Sequence, residues 1–257
     1  MRRDSGTYLA LGFCLVLLFG FAAWAVVNGS QEARLVRADP DSAAADPRSM
    51  QFAVPRGRDI FERRCAACHG RDGKGSDTLG SANLTDHDWL YGEGAASDIE
   101  NIVMYGVRAP NSKTWRLADM PGFALKQPYP REPTMKPLSP RDINDVVQFL
   151  RVAEGRSADE GAAQRGSKIY DAAGCYDCHG ANLAGDSAIG APNLTDNIWL
   201  FGDGSNQWIY DSIAYGRAGV CPAWVGRLNA VQIREVALYA YSLSHTHGSS
   251  QPKADLQ

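Results

Sequence analysis

Apolar residues recur at spacings of three and four in two stretches, Ile143, Val146, Val147, Leu150 and Ile233, Val236, Ala237, Ala240. That period predicts two amphipathic helices, each with one face to bury. Ser139-Pro140 supplies a start for the first of them. Between the periodic stretches lie Gly-, Pro- and Asn-rich loops, and no sustained alternation at period two predicts strands. A different pattern opens the chain: Thr7 to Val27 runs 21 residues without a charge. As a helix this is long enough to cross a hydrocarbon layer, which takes about 20 residues. Arg2 and Arg3 precede it and Glu32 is the first charge after it, so the short tail is expected in the cytoplasm and the rest outside. A cleaved leader is the competing expectation, with Ala23-Trp24-Ala25 as a loose cleavage site, but the apolar run exceeds the usual ~7–15 residues of such leaders. Ser, Asp and Ala dominate Gln31 to Ser49, which predicts a solvated linker, and Gly248 to Gln257 reads as a frayed tail.

The chain also contains a repeat. Cys-Ala-Ala-Cys-His-Gly at 65–70 recurs as Cys-Tyr-Asp-Cys-His-Gly at 175–180, an offset of 110 residues. The same offset carries Asn83–Asp86 onto Asn193–Asp196, Trp89 onto Trp199, and Tyr105-Gly106 onto Tyr215-Gly216. Leu138–Leu150 matches Leu228–Ala240 at an offset of 90, so the first copy holds about 20 extra residues, mostly Pro-rich. The expected organisation is a tail and anchor over 1–28 and a flexible linker over 29–54. Two tandem helical domains follow over 55–154 and 155–247, and 248–257 is a disordered tail. Net charge is −3 with 21% charged residues, so no general attraction to nucleic acid is expected.

Each copy carries Cys-x-x-Cys-His, the attachment signature of c-type haem. Cysteines three apart on a helical turn share a face, so both thiols reach one porphyrin edge, and the adjacent histidine reaches the iron. Cys65, Cys68 and His69 form the first set and Cys175, Cys178 and His179 the second, predicting two covalently bound haem c groups. A thioredoxin-like site would want a βαβ setting, and a zinc site would not divide into two distant pairs, each with its own histidine.

The chain resembles the class I cytochrome c fold twice over, and more narrowly the membrane-anchored dihaem subunit (subunit III) of cbb3-type cytochrome c oxidases. The single N-terminal span, the two Cys-x-x-Cys-His-Gly boxes, Asn-Leu-Thr-Asp followed by Trp and Gly, and Tyr215–Trp224 carry the resemblance. It implies an all-α fold, one transmembrane helix followed by two tandem cytochrome c domains. It further implies a histidine/methionine pair on each iron, with the methionine in a Met-Pro step.

For the first haem, Met120 of Met120-Pro121-Gly122-Phe123 is the favoured sixth ligand and Met135 the alternative. Met104 falls on an apolar helical pattern and reads as core. For the second haem the family's ligand position holds Cys221, in Cys221-Pro222, where methionine is expected. Its thiol is either a small buried side chain or a thiolate on the second iron, which would lower that haem's potential. Arg108 and Arg217 are candidate partners of haem propionates. Trp89 and Trp199 are expected to line the pockets. His87, His245 and His247 lie outside the ligand positions.

The resemblance implies an electron-transfer protein held at the inner membrane with its haem domains in the periplasm. Its partners would be the other subunits of a membrane oxidase or reductase complex and another periplasmic cytochrome or redox protein. No residue is expected to be catalytic. The competing readings are a His/Cys-ligated dihaem enzyme acting on a sulfur compound such as thiosulfate, and a haem-based redox or gas sensor.

Overall fold

The computed structural model describes residues 17, 19–20, 26–115 and 119–245. Helical residues 26–37 (α1) lead into α2 (Pro40–Ala45) and α3 (Pro47–Arg64). The stretch expected as a flexible linker is therefore helical. Its two Asp-Pro steps are helix starts: Asp39 accepts from the N–H groups of Asp41 and Ser42, and Asp46 from those of Arg48 and Ser49. Pro40 and Pro47 occupy first-turn positions, where a missing N–H costs nothing. Leu35, Ala43 and Ala53 are buried together with Ala96 and Leu238 from much later in the chain.

The remaining helices are α4 (Ala66–His69), α5 (Ala96–Tyr105), α6 (Pro140–Ala153), α7 (Glu160–Ala172), α8 (Tyr176–His179), α9 (Asn206–Tyr215) and α10 (Ala230–His245). Among the described residues there is no strand, only isolated bridges, in keeping with the all-α expectation. Both predicted amphipathic helices form. Ser139 and Asp142 make a reciprocal capping box at the start of α6, which buries Ile143, Val146, Val147 and Leu150. His245 is the last residue of α10 and does not lie beyond it as expected. Among the described residues no helix is long and apolar enough to cross a membrane, and the span expected over Thr7–Val27 lies mostly outside them.

The helices do not pair within repeats. α6 lies along α7, and α3 along α10, while α5 and α9 complete the two groups on α10 and α6 respectively. Each first helix of a repeat thus packs on the last helix of the other. Glycines allow the close crossings: a Cβ on Gly57 would lie 2.0 Å from the Glu235 carbonyl oxygen, and one on Gly166 would lie 2.0 Å from that of Asp145. The connection explains the choice. Only residues 154–159 separate α6 from α7, and so short a link folds two amphipathic helices back on each other as an antiparallel pair. With α6 so engaged, α3 buries its apolar stripe on α10.

The two groups meet across an approximate two-fold relation. Gly92 N–H donates to Ser187 O (3.1 Å), and its counterpart Gly202 N–H donates to Asp77 O (3.1 Å). The Phe201 ring covers Gly80 and the Tyr91 ring covers Gly190, again equivalent positions. Arg234, 5% exposed, anchors the outer end of the first group. It donates to Leu35 O (2.7 Å) and Ala38 O (2.9 Å) at the end of α1 and pairs with Glu100 of α5.

A side chain at either crossing would force the paired helices apart. Gly166→Val should therefore lower the thermal midpoint of the full-length protein, followed by circular dichroism, as an overpacked core position costing about 1–3 kcal/mol does. An unchanged midpoint would contradict the close α6–α7 crossing.

Candidate functional site

Both Cys-x-x-Cys-His boxes are built alike. α3 runs into Cys65, whose N–H closes on Phe61 O, and α4 then carries Cys68 and His69 round one tight turn. The second box follows α7 in the same way, with Cys178 and His179 on α8. Gly70 (φ 74°) and Gly180 (φ 75°) end these turns in a left-handed conformation that no other residue adopts without strain. His69 Nδ1 lies 3.0 Å from Ala82 O, and His179 Nδ1 lies 3.0 Å from Pro192 O. With Nδ1–H donating to these carbonyls, Nε2 of each ring keeps its lone pair for a metal. Burial lowers the pKa of both histidines, which holds the rings neutral as a ligand requires. Nothing in the motif itself points to Ala82 and Pro192. Only their equivalence under the 110-residue offset marks them in the sequence.

The structure redistributes the expected sixth ligands. Cys221 was expected with the second box, but its backbone exchanges two hydrogen bonds with Val107 (2.9 and 3.0 Å), in the first group. Trp224 N–H donates to Val103 O (3.1 Å) just beyond it. Cys65 and Cys68 are the titratable neighbours of the Cys221 thiol. Burial, with Cys68 adding to it, pushes that thiol up to about 11.

Met120 was expected with the first box. Its N–H donates to Arg217 O (2.9 Å), and its carbonyl accepts from Arg217 N–H (3.3 Å). It packs on the core that contains Tyr170, Leu183 and Ile209 and is flanked by Cys175, Leu194 and Trp199. Met135 packs on the same core, so both methionine candidates lie against the cluster that Cys175 also flanks. The physical reason is the helix exchange: residues 120–138 precede α6, travel with it, and end beside α7 and the box that follows.

The other candidates fall out as follows. Arg217 lies over the Phe201 ring (4.2 Å) and donates from Nε to Ser212 Oγ (3.0 Å). Its Nη2 is buried without a hydrogen-bond partner among the described residues, as is Trp199 Nε1 in the same group. Two buried donors without acceptors suit an anionic group lying in an apolar pocket, as a haem propionate does. The residues present therefore fit the prosthetic group that the boxes imply. Arg108 was expected in the same role but is engaged otherwise, with Gly219 O (2.6 Å) and with Asp119. Asn83 and Asn193 each accept from the N–H and hydroxyl of the threonine two residues on, closing the loop behind each histidine. His87 meets only the edge of the His245 ring among the aromatic residues described. His247 lies outside the described residues.

Comparison with known proteins supports cytochrome boxes in both repeats. The cytochrome c family profile matches residues 54–154, and the profile for subunit III of cbb3-type cytochrome c oxidase matches residues 161–239. The chain is 38% identical to the cbb3-type cytochrome c oxidase subunit FixP of Bradyrhizobium sp. (strain ORS 278), over 84% of this chain and 70% of that one. It is 39% identical to subunit CcoP of Rhodobacter capsulatus, over 86% and 73%, and 34% identical to CcoP of Cereibacter sphaeroides, over 86% and 71%. A solved chain of the Kuenenia stuttgartiensis reducing HAO-like protein complex is matched with 17% identity and a TM-score of 0.19 over 74% of this chain and 96% of that one, too slight a likeness to carry an argument. With cytochrome boxes of one geometry in both repeats and relatives aligned along most of its length, the chain belongs to the CcoP/FixP family of cbb3-type cytochrome c oxidase subunits, and its two boxes are attachment sites for covalently bound haem c.

Proposed function

We propose that this chain is an electron relay of a cbb3-type oxidase, with each haem attached by one repeat and capped axially by the other. The ligand pairs are His69/Cys221 and His179/Met120, Met135 being the alternative to Met120. The observation that carries the pairing is backbone placement: Cys221 is bonded to Val107 beside the first box, and Met120 to Arg217 beside the second. The haem supplies one-electron redox chemistry. The protein's own part is to set the axial ligands, exclude water and hold the two sites in one body.

A thioether favours reduced iron and a thiolate favours oxidised iron, so the site at His69 is the low-potential one and the site at His179 the high-potential one. Electrons arriving at the first site would run downhill to the second. A buried thiol with no cationic side chain among its titratable influences is neutral on its own. Ferric iron supplies the charge that ionises it.

Thr7–Val27 would anchor the chain as a single span, N-terminus in the cytoplasm and haem groups in the periplasm. The exposed apolar side chains of Leu17, Phe19, Val26 and Val27 support this placement. Because α1 joins the fold through Leu35 and Arg234, an anchor continuous with it would hold the first haem at a set position near the membrane. The partners are the other oxidase subunits and a periplasmic donor.

Redox titration followed by low-temperature paramagnetic resonance tests the reading. The oxidised protein should show one narrow-spread thiolate-type low-spin signal and one histidine–methionine signal, with midpoints separated by up to several hundred millivolts within the roughly 0.8 V that axial ligands span. Cys221→Met should convert the first signal to the second kind. Two overlapping high potentials in the unaltered protein would sink the assignment. Turnover of thiosulfate, or carbon monoxide binding without turnover, would favour an enzyme or a sensor instead.

A second expectation concerns Arg217. Its guanidinium, held by Ser212 and Phe201 with Nη2 buried and free of hydrogen bonds among the described residues, would disfavour extra positive charge on an iron at the second box. Arg217→Gln should therefore lower the midpoint of the histidine–methionine haem and leave the other in place, which the same titration would read.

A further inference from the structure

We propose that Arg108 is a positioning residue that holds both sixth-ligand segments at once, so that one side chain couples the axial coordination of the two haems. The inference rests on the ligand pairing above and deepens it. Arg108 follows Val107, the residue whose backbone is bonded to Cys221. Its Nε donates to Gly219 O (2.6 Å), two residues before Cys221. The same nitrogen lies 3.7 Å from Oδ1 of Asp119, the residue before Met120. Both side chains are largely withdrawn from solvent, at 19% and 28% exposure, and Asp119 Oδ1 has no hydrogen bond of its own among the described residues.

The guanidinium therefore sits where the two ligand segments come together. Residues 217–221 pair with Met120 at one end, through Arg217, and carry Cys221 at the other. Arg108 bridges the middle of that span to Asp119. It also donates to the hydroxyl of Tyr91, whose ring covers Gly190 across the two-fold contact between the groups.

The backbone adds an independent mark. Arg108 has φ 51°, and only Leu183 shares a positive φ among the described non-glycine residues. A long side chain in the left-handed region costs free energy and persists where its surroundings over-determine it. Here the N–H is held by Trp115 O (2.7 Å) and the side chain by three separate segments. Asp119 has a second partner, Arg131, but that side chain is 56% exposed and touches only the outer oxygen. It provides a matched control: the same carboxylate, without the contact to Gly219.

The test uses the full-length protein with both haems attached and follows displacement of the sixth ligands by added imidazole in the oxidised state. Arg108→Asn removes the guanidinium but keeps a residue that tolerates the left-handed backbone. It should speed displacement about tenfold at both haems, the scale of one charge-assisted hydrogen bond, and reveal high-spin ferric signals at both without loss of bound haem. Arg131→Gln should behave as the unaltered protein. Asp119→Asn should loosen the Met120 site alone, and this variant decides the matter if Arg108→Asn does not accumulate with haem. A wild-type rate at either haem in Arg108→Asn, or an equal effect of Arg131→Gln, would overturn the coupling; so would an Asp119→Asn protein with an unchanged Met120 site. Failure of the underlying pairing would show first in the unaltered protein, as the absence of one thiolate-type and one histidine–methionine signal.

Discussion

The six residues between α6 and α7 constrain everything else in this molecule. A link of that length favours an antiparallel return, and α6 and α7 close on each other. α6 is the helix that would complete the first repeat, and its capture obliges α3 to find the only equivalent surface left, on α10. Two repeats of one cytochrome-like unit thereby become two composite units, each containing residues from both ends of the duplicated sequence. The glycines at the two crossings, Gly57 and Gly166, show that both interfaces are close-packed.

That exchange has chemical consequences. Under the proposed pairing each iron's histidine and its opposing ligand would come from segments about 150 residues apart at one site and about 60 at the other, which would tie ligation to tertiary packing and not to a single loop. The pairing of Val107 with Cys221 and of Met120 with Arg217 brings the two proposed ligand segments into backbone contact. A subunit that passes electrons between two haems benefits from such a junction, because one rigid body fixes their separation.

The first helices extend the packed body toward the N-terminus. A composition rich in Ser, Asp and Ala reads as solvated linker because its few strongly apolar residues, Leu35 and Val36, set up no helical period of their own. Two Asp-Pro caps and three small or apolar contacts, Leu35, Ala43 and Ala53, are nevertheless enough to fold it onto α5 and α10. Arg234 secures the arrangement by satisfying carbonyls at the end of α1 while neutralising Glu100. A buried cation so fully partnered is tolerated, whereas either partner alone would be costly.

By itself, the sequence determined the helical class, the duplication, the two attachment boxes with their histidines, and the short roster of sulfur ligands. These are local properties: a period of 3.6, a spacing of three, a Cys-Pro or Met-Pro step, all legible within a few residues. It could not decide which sulfur faces which iron. Both terminal helices carry the same apolar stripe and fit the same partner equally well, so periodicity is silent on their pairing. The length of the 154–159 connection was the one clue within the chain. Only the tertiary structure, by folding α6 back onto α7, assigned Cys221 to the neighbourhood of His69 and Met120 to that of His179.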